Sequence, residues 1–341
     1  MSHKVKIVKN GSLSKHWRLV GALLVVICLW VTYNFWSSTQ SSNLQLATLK
    51  FDTTITNQVA LFKKQFETYA DTLYAGRALY AVNNNITQDN WTQFYTTQSI
   101  SSRYPGINSI GYIQVLSTQQ ADSSTPATKI ITTPLTSTVA VVSYIEPFQE
   151  NKQIVGYDLF SDSARVKMLT RAANTGLVRA STPLQLAVNK TETSGKPAII
   201  FVLPVYRVTD MTLDTVAKRQ AALEGYVGLS VYIQPMLDNL MTTLSTDRDI
   251  SLTVSSNSTT VYQTHNSQAA NYIQKIDTVD VAGQPWTFMF RAPSDYGLDF
   301  ASKTAPVIAL IRGFIVALLI LGLLLYSAGV RFVSHPNHTS L

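Results

Sequence analysis

Two long apolar blocks, one near each end of the chain, most constrain how these 341 residues can fold. The first block, 19–36, contains no charged residue, and the second, 306–332, is rich in Leu, Ile and Val. A bilayer-spanning helix needs roughly 20 predominantly apolar residues. Backbone inside lipid must also satisfy its own hydrogen bonds, which favours helix. The sequence therefore predicts transmembrane helices at 19–36 and 307–330.

Each block has an alternative interpretation. The first could be a cleaved signal peptide, but its apolar run exceeds the roughly 7–15 residues of such a core, and no A-x-A motif follows. The second could be the core helix of a soluble protein, but its length argues against this. Arg312 is near one end of the second block, where a long side chain can reach the headgroups. We expect an uncleaved anchor and a second span.

Charge is concentrated at the two ends of the chain. The formal net charge is +7, and all of it comes from basic residues outside 38–305. Basic residues flanking a span favour the cytoplasmic side of a membrane. We therefore predict cytoplasmic tails at 1–18 and 331–341, with 38–305 outside the cytoplasm of a multi-pass protein of the cell (inner) membrane. The basic pI follows from topology, and no nucleic-acid partner is expected.

The segment between the blocks begins with a helical pattern. Apolar residues recur every three or four positions from 43 to 82 without a proline, which predicts one long amphipathic helix. This stripe suits either a core or stalk helix, or a signalling helix that forms a homodimer. Cys28 is the only cysteine and lies in the first block, so 38–305 must be held together without disulfides.

Strand patterns dominate the rest of this segment. Strands are expected at 107–115 and in "STVAVVSYIEP", "GKPAIIFVLPVYR" and "LEGYVGLSVYI", with a helix at 163–175 that ends at Gly176. A short helix, "QPMLDNLMTTL", and a second β-rich region follow. The predicted fold is therefore α+β, with a long N-terminal helix and two antiparallel sheets between the spans.

Five blocks of this region carry a family resemblance. They are "RYPGINSIGYIQVL", "YIEPFQENKQIVGYDLFSDSARVKMLTRAANTG", "STPLQL", "AIIFVLPVY" and "LEGYVGLSV". In order and spacing, from about 94 to 236, they resemble the CHASE domain, an extracytoplasmic sensory module of membrane histidine kinases and nucleotide cyclases. The resemblance implies two PAS-like subdomains: a membrane-distal one at 83–236 that holds a ligand pocket, and a membrane-proximal one at 237–305.

The resemblance also implies a set of ligand-binding residues. In plant cytokinin receptors of this family, an Asp before the central helix contacts the hormone, and Asp158 is in that position here. The neighbouring positions would line the pocket: Tyr157, Leu159, Phe160, Ala180, Ser181, Thr182, Val202 and Leu203.

Local chemistry alone leaves other roles open for the acidic residues. Glu146, Asp158 and Asp162 are close in sequence, but an acid/base pair also needs a fixed separation across a substrate. Glu146 precedes a proline and fits a turn, whereas Asp162 fits a helix N-cap. Asp158 either contacts a ligand or bonds nearby backbone. Arg103, Arg165 and Arg171 either recognise an anionic ligand or are solvated helix-face charges.

We expect no catalytic residue, metal site or cofactor. His265 is the only histidine in 38–305, and no cysteine cluster, acidic metal loop, phosphate loop or nucleophile elbow occurs there. Because only "FVSHPNHTSL" follows Arg331, we also expect no kinase or cyclase domain after the second span in this chain. Intrinsic enzymatic activity is therefore not expected.

The predicted function is that of a membrane-anchored sensor that binds a small molecule and signals across the membrane. A separate kinase or cyclase is one expected partner. One alternative is the truncated sensory half of a diguanylate cyclase or histidine kinase. A second alternative is a dimerisation module that binds no ligand.

Overall fold

The computed structural model divides the chain into two compact units, residues 53–293 and residues 1–52 with 294–341. Within them it describes residues 11–82, 86–122, 137–186, 195–207, 212–244, 249–264 and 271–333. Parts of both predicted cytoplasmic tails, 1–10 and 334–341, lie outside the described residues. The domain boundaries proposed from the sequence stay predictions.

Two helices contain the apolar blocks. Helix α1 runs from Gly11 to Val82 and includes both the first block and the predicted amphipathic helix, while α9 runs from Phe300 to Val333. Their most apolar windows have mean hydropathies of 2.0 and 2.8, and only 6% of each is buried. By length and composition, both helices are able to cross a membrane.

Helices α1 and α9 pack side by side in antiparallel register. A Cβ atom on Gly21 would lie 2.6 Å from Cδ1 of Leu324, and the Asn43 amide donates to the carbonyl of Ser302 at 2.6 Å. From the first contact to the second, the residue numbers increase along α1 and decrease along α9, so the two helices run in opposite directions. Small residues at such contacts let two helix backbones approach closely within a membrane.

The close contact at Gly313 predicts that a larger side chain at this position destabilises the protein. A Cβ atom there would collide with the side chain of Thr32, whereas one on Gly322 would have no atom within 4 Å. Overpacking a close helix contact costs about 1–3 kcal/mol. We expect Gly313→Val to lower the melting temperature of the detergent-solubilised chain, and the matched control Gly322→Val to leave it nearly unchanged. Equal melting temperatures for both variants would contradict this helix pairing.

Residues 53–293 contain two antiparallel sheets. The first sheet has five strands in the order β2-β1-β5-β4-β3, and the second has four in the order β7-β6-β9-β8. The bounds of the strands are β1 Ile107–Ser117, β2 Thr138–Glu146, β3 Arg179–Ala180, β4 Ala198–Tyr206, β5 Leu223–Tyr232, β6 Ser251–Ser256, β7 Thr259–Gln263, β8 Tyr272–Val281 and β9 Gln284–Pro293. The α+β prediction with two antiparallel sheets is confirmed.

Shorter helices connect these strands. They are α2 Gln88–Thr97, α3 Ile100–Arg103, α4 Thr118–Asp122, α5 Phe148–Asn151, α6 Ser163–Thr175, α7 Val216–Ala222 and α8 Ile233–Leu244. Two 3₁₀ turns, Lys152–Ile154 and Leu159–Ser161, precede α6. Helix α7 lies in a polar stretch where the sequence predicted no element. The Thr215 side chain caps its start by accepting from the backbone N–H of Lys218.

The C-terminal part of α1 packs against both sheets. Phe62 contacts Phe288 of the second sheet at a ring-centroid distance of 5.1 Å, and Tyr69 stacks on Phe201 of the first at 6.4 Å. The Tyr69 hydroxyl donates to the carbonyl of Pro105, and burial raises the pKa of this phenol to about 12. This burial accounts for the apolar stripe over these residues. The homodimer stays a prediction.

A candidate ligand-binding cavity on the first sheet

Small residues are paired on one face of the five-stranded sheet. In the antiparallel register of β1 and β5, Gly111 is opposite Gly228 and Ser109 is opposite Ser230. Residues two apart on a strand share a face. Both glycines and both serines therefore lie on the same face, at the centre of the sheet. Glycine inside a strand often marks a place where a ligand or another chain segment approaches the backbone.

Helix α6 packs over this face. Asp162 caps its start by accepting from the backbone N–H groups of Ala164 and Arg165, and Gly176 ends it with a positive φ of 72°. Both features follow the sequence prediction, which is confirmed. The buried side of α6 joins residues of the sheet in one hydrophobic cluster. Its members on α6 are Met168, Leu169, Ala172 and Ala173.

A cavity lies between this face of the sheet and the segment that leads into α6. Its volume is about 80 Å³, and its mouth is open to solvent. Small-molecule sites combine apolar walls with a few polar groups. The lining residues are Asn108, Ser109, Gly111, Ile113, Val142, Ile145, Ile154, Tyr157, Leu159, Arg165, Leu186, Ile200, Gly228, Leu229 and Ser230.

One polar group of the cavity is a buried hydrogen-bonded cluster. The hydroxyls of Ser109 and Ser230 are 2.7 Å apart, and the Asn108 amide donates to the Ser230 hydroxyl at 3.2 Å. The same amide donates to the Asn151 side chain at 3.3 Å, and Asn151 is fully buried. Because buried amides and hydroxyls need partners, this cluster holds its members in fixed positions. It presents polar atoms beside an otherwise apolar wall.

The second polar group combines Tyr157 and Arg165. The guanidinium donates to the Tyr157 hydroxyl at 2.7 Å, and its central carbon is 5.2 Å from the centroid of the tyrosine ring. Arg165 is partly buried in the first turn of α6. Among the lining residues that the structure describes, it is the only one with a charge.

Asp158 connects the segment before α6 to the edge of the sheet. It is fully buried, and Oδ1 accepts from the backbone N–H of Ala140 at 2.8 Å and of Phe160 at 2.9 Å. On either side of it, Tyr157 and Leu159 line the cavity, whereas Asp158 is not among the lining residues. The carboxylate therefore positions two lining residues through the backbone. Its direct contact with a ligand stays a prediction.

The structure distributes the remaining predicted site residues over several positions. Phe160 and Val202 belong to the hydrophobic cluster under α6, and Ser181 bonds the backbone of Ile200, which lines the cavity. Leu203 follows Val202 in β4 and so lies on the opposite face of the sheet.

Two predicted positions follow the end of α6. Ala180 pairs with Phe201 across the β3–β4 ladder, and Thr182 is exposed. Their contact with a ligand also stays a prediction.

The acidic residue Glu146 has a structural role in a hydrogen-bonded cluster. It is buried at the end of β2, where Oε1 accepts from Gln88 at 2.6 Å and from the Thr92 hydroxyl, and Oε2 accepts from the backbone N–H of Phe148. These bonds tie the start of α2 to β2, a role beyond the predicted turn. Within the described residues, no group of His, Cys, Asp and Glu has the arrangement of a metal site. His265 lies outside them.

The centre of the cavity was not predicted from the sequence; it is formed by Asn108, Ser109, Gly111, Gly228 and Ser230. A signal was present, because "NSIG" in β1 and "GLS" in β5 place small and polar residues inside otherwise apolar strands. Strand pairing brings these residues together in the cavity. This pairing is a tertiary property that the sequence pattern does not show.

Comparisons with known proteins add a family. A model described as the CHASE domain matches residues 84–272, which is more than half of the chain. No curated protein matches this chain. Among solved structures, the chain is similar to an extracellular ligand binding receptor from Desulfohalobium retbaense DSM5692. The identity is 13% and the TM-score 0.48, over 73% of this chain and 40% of that one. It is also similar to the LuxQ periplasmic domain of Vibrio cholerae. That match has 11% identity and a TM-score of 0.35, over 70% of this chain and 99% of that one.

Proposed function

The chain belongs to the CHASE domain family, and we propose on this basis that it is a membrane-anchored sensor whose cavity on the five-stranded sheet binds a small molecule. The observation that supports this most is the cavity itself, whose lining includes the facing pair Gly111 and Gly228 beside buried polar groups. Two apolar helices flank the CHASE region. In the proposal they cross the cell (inner) membrane, and residues 38–305 lie outside the cytoplasm.

Ligand binding would act by shifting a two-state equilibrium. A ligand changes such an equilibrium only by the difference between its affinities for the two states. In this proposal, occupancy of the cavity changes the position of the segment from Tyr157 to Leu159 and of α6, which this segment precedes. The signal then reaches a kinase or cyclase, either on a separate chain or as further sequence of the same protein. A homodimer is part of the proposal.

A thermal-shift screen of the full chain in detergent micelles tests ligand binding. A ligand at about 100 times its Kd stabilises the folded state by about 2.7 kcal/mol. For a unit of about 150–250 residues, this raises the melting temperature by roughly 5–10 °C. We expect at least one compound of a broad metabolite library to produce such a shift. A cooperative melting transition that no compound moves would instead favour the dimerisation module that binds no ligand.

A further inference from the structure

The lining of the cavity combines apolar walls with a single cation. Most of the lining side chains that the structure describes are Ile, Leu and Val, and Arg165 alone carries a charge. Partial burial in apolar surroundings strengthens the attraction between opposite charges, because the effective dielectric constant is lower than in water. A charge-bearing ligand in this cavity is therefore expected to be an anion.

The contacts of Arg165 leave it able to bind such an anion. A guanidinium has five N–H donors. Among the described residues, its side chain donates to the Tyr157 hydroxyl and forms no ion pair with an acidic group. A hydroxyl that accepts a hydrogen bond can still donate its own hydrogen. Arg165 and Tyr157 thus offer two kinds of donor to one acceptor group.

The two nearest carboxylates on the chain have other roles. Asp162 accepts from the backbone N–H groups of Ala164 and Arg165 at the start of α6, and Asp158 accepts from those of Ala140 and Phe160.

A second contact point is available further along the sheet. The Tyr157 carbonyl accepts from Val142, which is opposite Ile113 in β1, while Ser109 is four residues before Ile113. Four residues of a strand span roughly 13 Å. The backbone of Tyr157, whose hydroxyl accepts from the cation, is therefore attached to the sheet at a point separated from the serine–asparagine cluster, with apolar lining between them. This separation suits an elongated ligand with an apolar body.

From this arrangement we infer that the cavity selects a small organic carboxylate, with its carboxylate on Arg165 and Tyr157 and its apolar body over Gly111 and Gly228. This inference rests on the proposed function and specifies the ligand class of the same cavity. A carboxylate matches one guanidinium in charge and planar geometry. A phosphate monoester carries about −1.5 to −2 at neutral pH and would keep excess charge beside a single arginine.

Matched acids and amides provide the test. The full chain in detergent is screened with benzoate, para-hydroxybenzoate and hexanoate, and with benzamide, para-hydroxybenzamide and hexanamide. At about 10 mM even a millimolar Kd gives high occupancy. We expect at least one acid to bind by calorimetry and to bind more tightly than its amide. If no acid binds, or if each amide binds as tightly as its acid, the inference is wrong.

Arginine variants then locate the contact. Arg165→Gln is expected to weaken binding of the acid by about tenfold to hundredfold, because the ligand loses a charge-assisted partner. Arg165→Lys restores part of the affinity, and Tyr157→Phe causes a smaller loss. Arg171→Gln is the matched control, because Arg171 is on the same helix but is exposed and outside the lining. Equal affinities for Arg165→Gln and Arg171→Gln would overturn the inference.

The same variants separate this inference from the proposed function. If a neutral compound binds to the wild type, its affinity can be compared between the cavity-filling variant Gly228→Val and Arg165→Gln. Loss of binding in Gly228→Val with unchanged affinity in Arg165→Gln would support the sensor proposal and exclude a carboxylate ligand. A chain that binds nothing in either screen would contradict both.

Discussion

Replacing Asp158 with alanine is expected to lower the melting temperature of the chain by about 5–10 °C. The substitution removes the acceptor of two backbone N–H groups, those of Ala140 and Phe160, at a fully buried position. Leaving a buried donor without an acceptor costs about 1–3 kcal/mol. For a unit of this size, each kcal/mol corresponds to about 2–4 °C. The measurement is thermal unfolding of the full chain in detergent.

Asp162→Ala is the matched control for this prediction. Asp162 also accepts from two backbone N–H groups, but it is exposed, so water can replace the lost bonds. Loss of an N-cap of this kind costs about 1 kcal/mol. We expect the melting temperature of Asp162→Ala to be about 2–4 °C below that of the wild type. Similar decreases in melting temperature for both variants would show that the burial of Asp158 does not determine its contribution to stability.

A third variant, Asp158→Asn, separates positioning from ligand contact. The amide keeps an oxygen that can accept from the same backbone groups but has no charge. If Asp158 acts only by holding Tyr157 and Leu159 against the cavity, Asp158→Asn should leave ligand affinity close to wild type. A large loss of affinity in a variant with nearly wild-type stability would instead support direct contact between the carboxylate and the ligand.

The second large effect is expected from Gly228→Val, which fills the cavity from the sheet. A Cβ atom at Gly228 would approach Cδ1 of Ile113 at 2.7 Å, and this is the flexible end of a side chain. At Gly111, a Cβ atom would instead meet the backbone carbonyl of Tyr144, which cannot move without disturbing the sheet. Of the two glycines, Gly228 is therefore the one where the cavity can be filled with less disturbance of the strands.

Ligand affinity should fall strongly in this variant. A single extra methylene in a binding pocket changes affinity by about 10- to 200-fold. Valine adds three carbons, so we expect a loss of at least about a hundredfold for any ligand of the cavity. The measurement is calorimetric titration of the full chain with the tightest compound of the screen. Gly322→Val, where an added Cβ has no close neighbour, is the control and should bind like wild type.

Local rules account for much of what the sequence predicted. The bounds of α6 follow from the Asp162 cap and from Gly176, whose positive φ suits glycine. The strands follow from their apolar runs, and the long helix from its stripe. These features depend on neighbours a few residues away. Helix α7 was missed because its short polar sequence carries no apolar period, and the Thr215 cap is a weak signal alone.

Tertiary pairing explains what the sequence left open. Asp158 accepts from the backbone N–H of Phe160, two residues away, and also from that of Ala140, eighteen residues earlier. The sequence pattern therefore does not decide between its two roles. The cavity likewise depends on the register that places Gly111 opposite Gly228. The family resemblance identified the segment around Tyr157 and Leu159, but not the small residues on the sheet that face it.

The most direct test of the central claim is a crystal structure of the chain with the tightest compound of the screen. The proposed function predicts the compound on the face of the five-stranded sheet, against Gly111 and Gly228 and beside Tyr157. A compound bound elsewhere, with this cavity empty, would contradict the claim that the cavity is the sensory site.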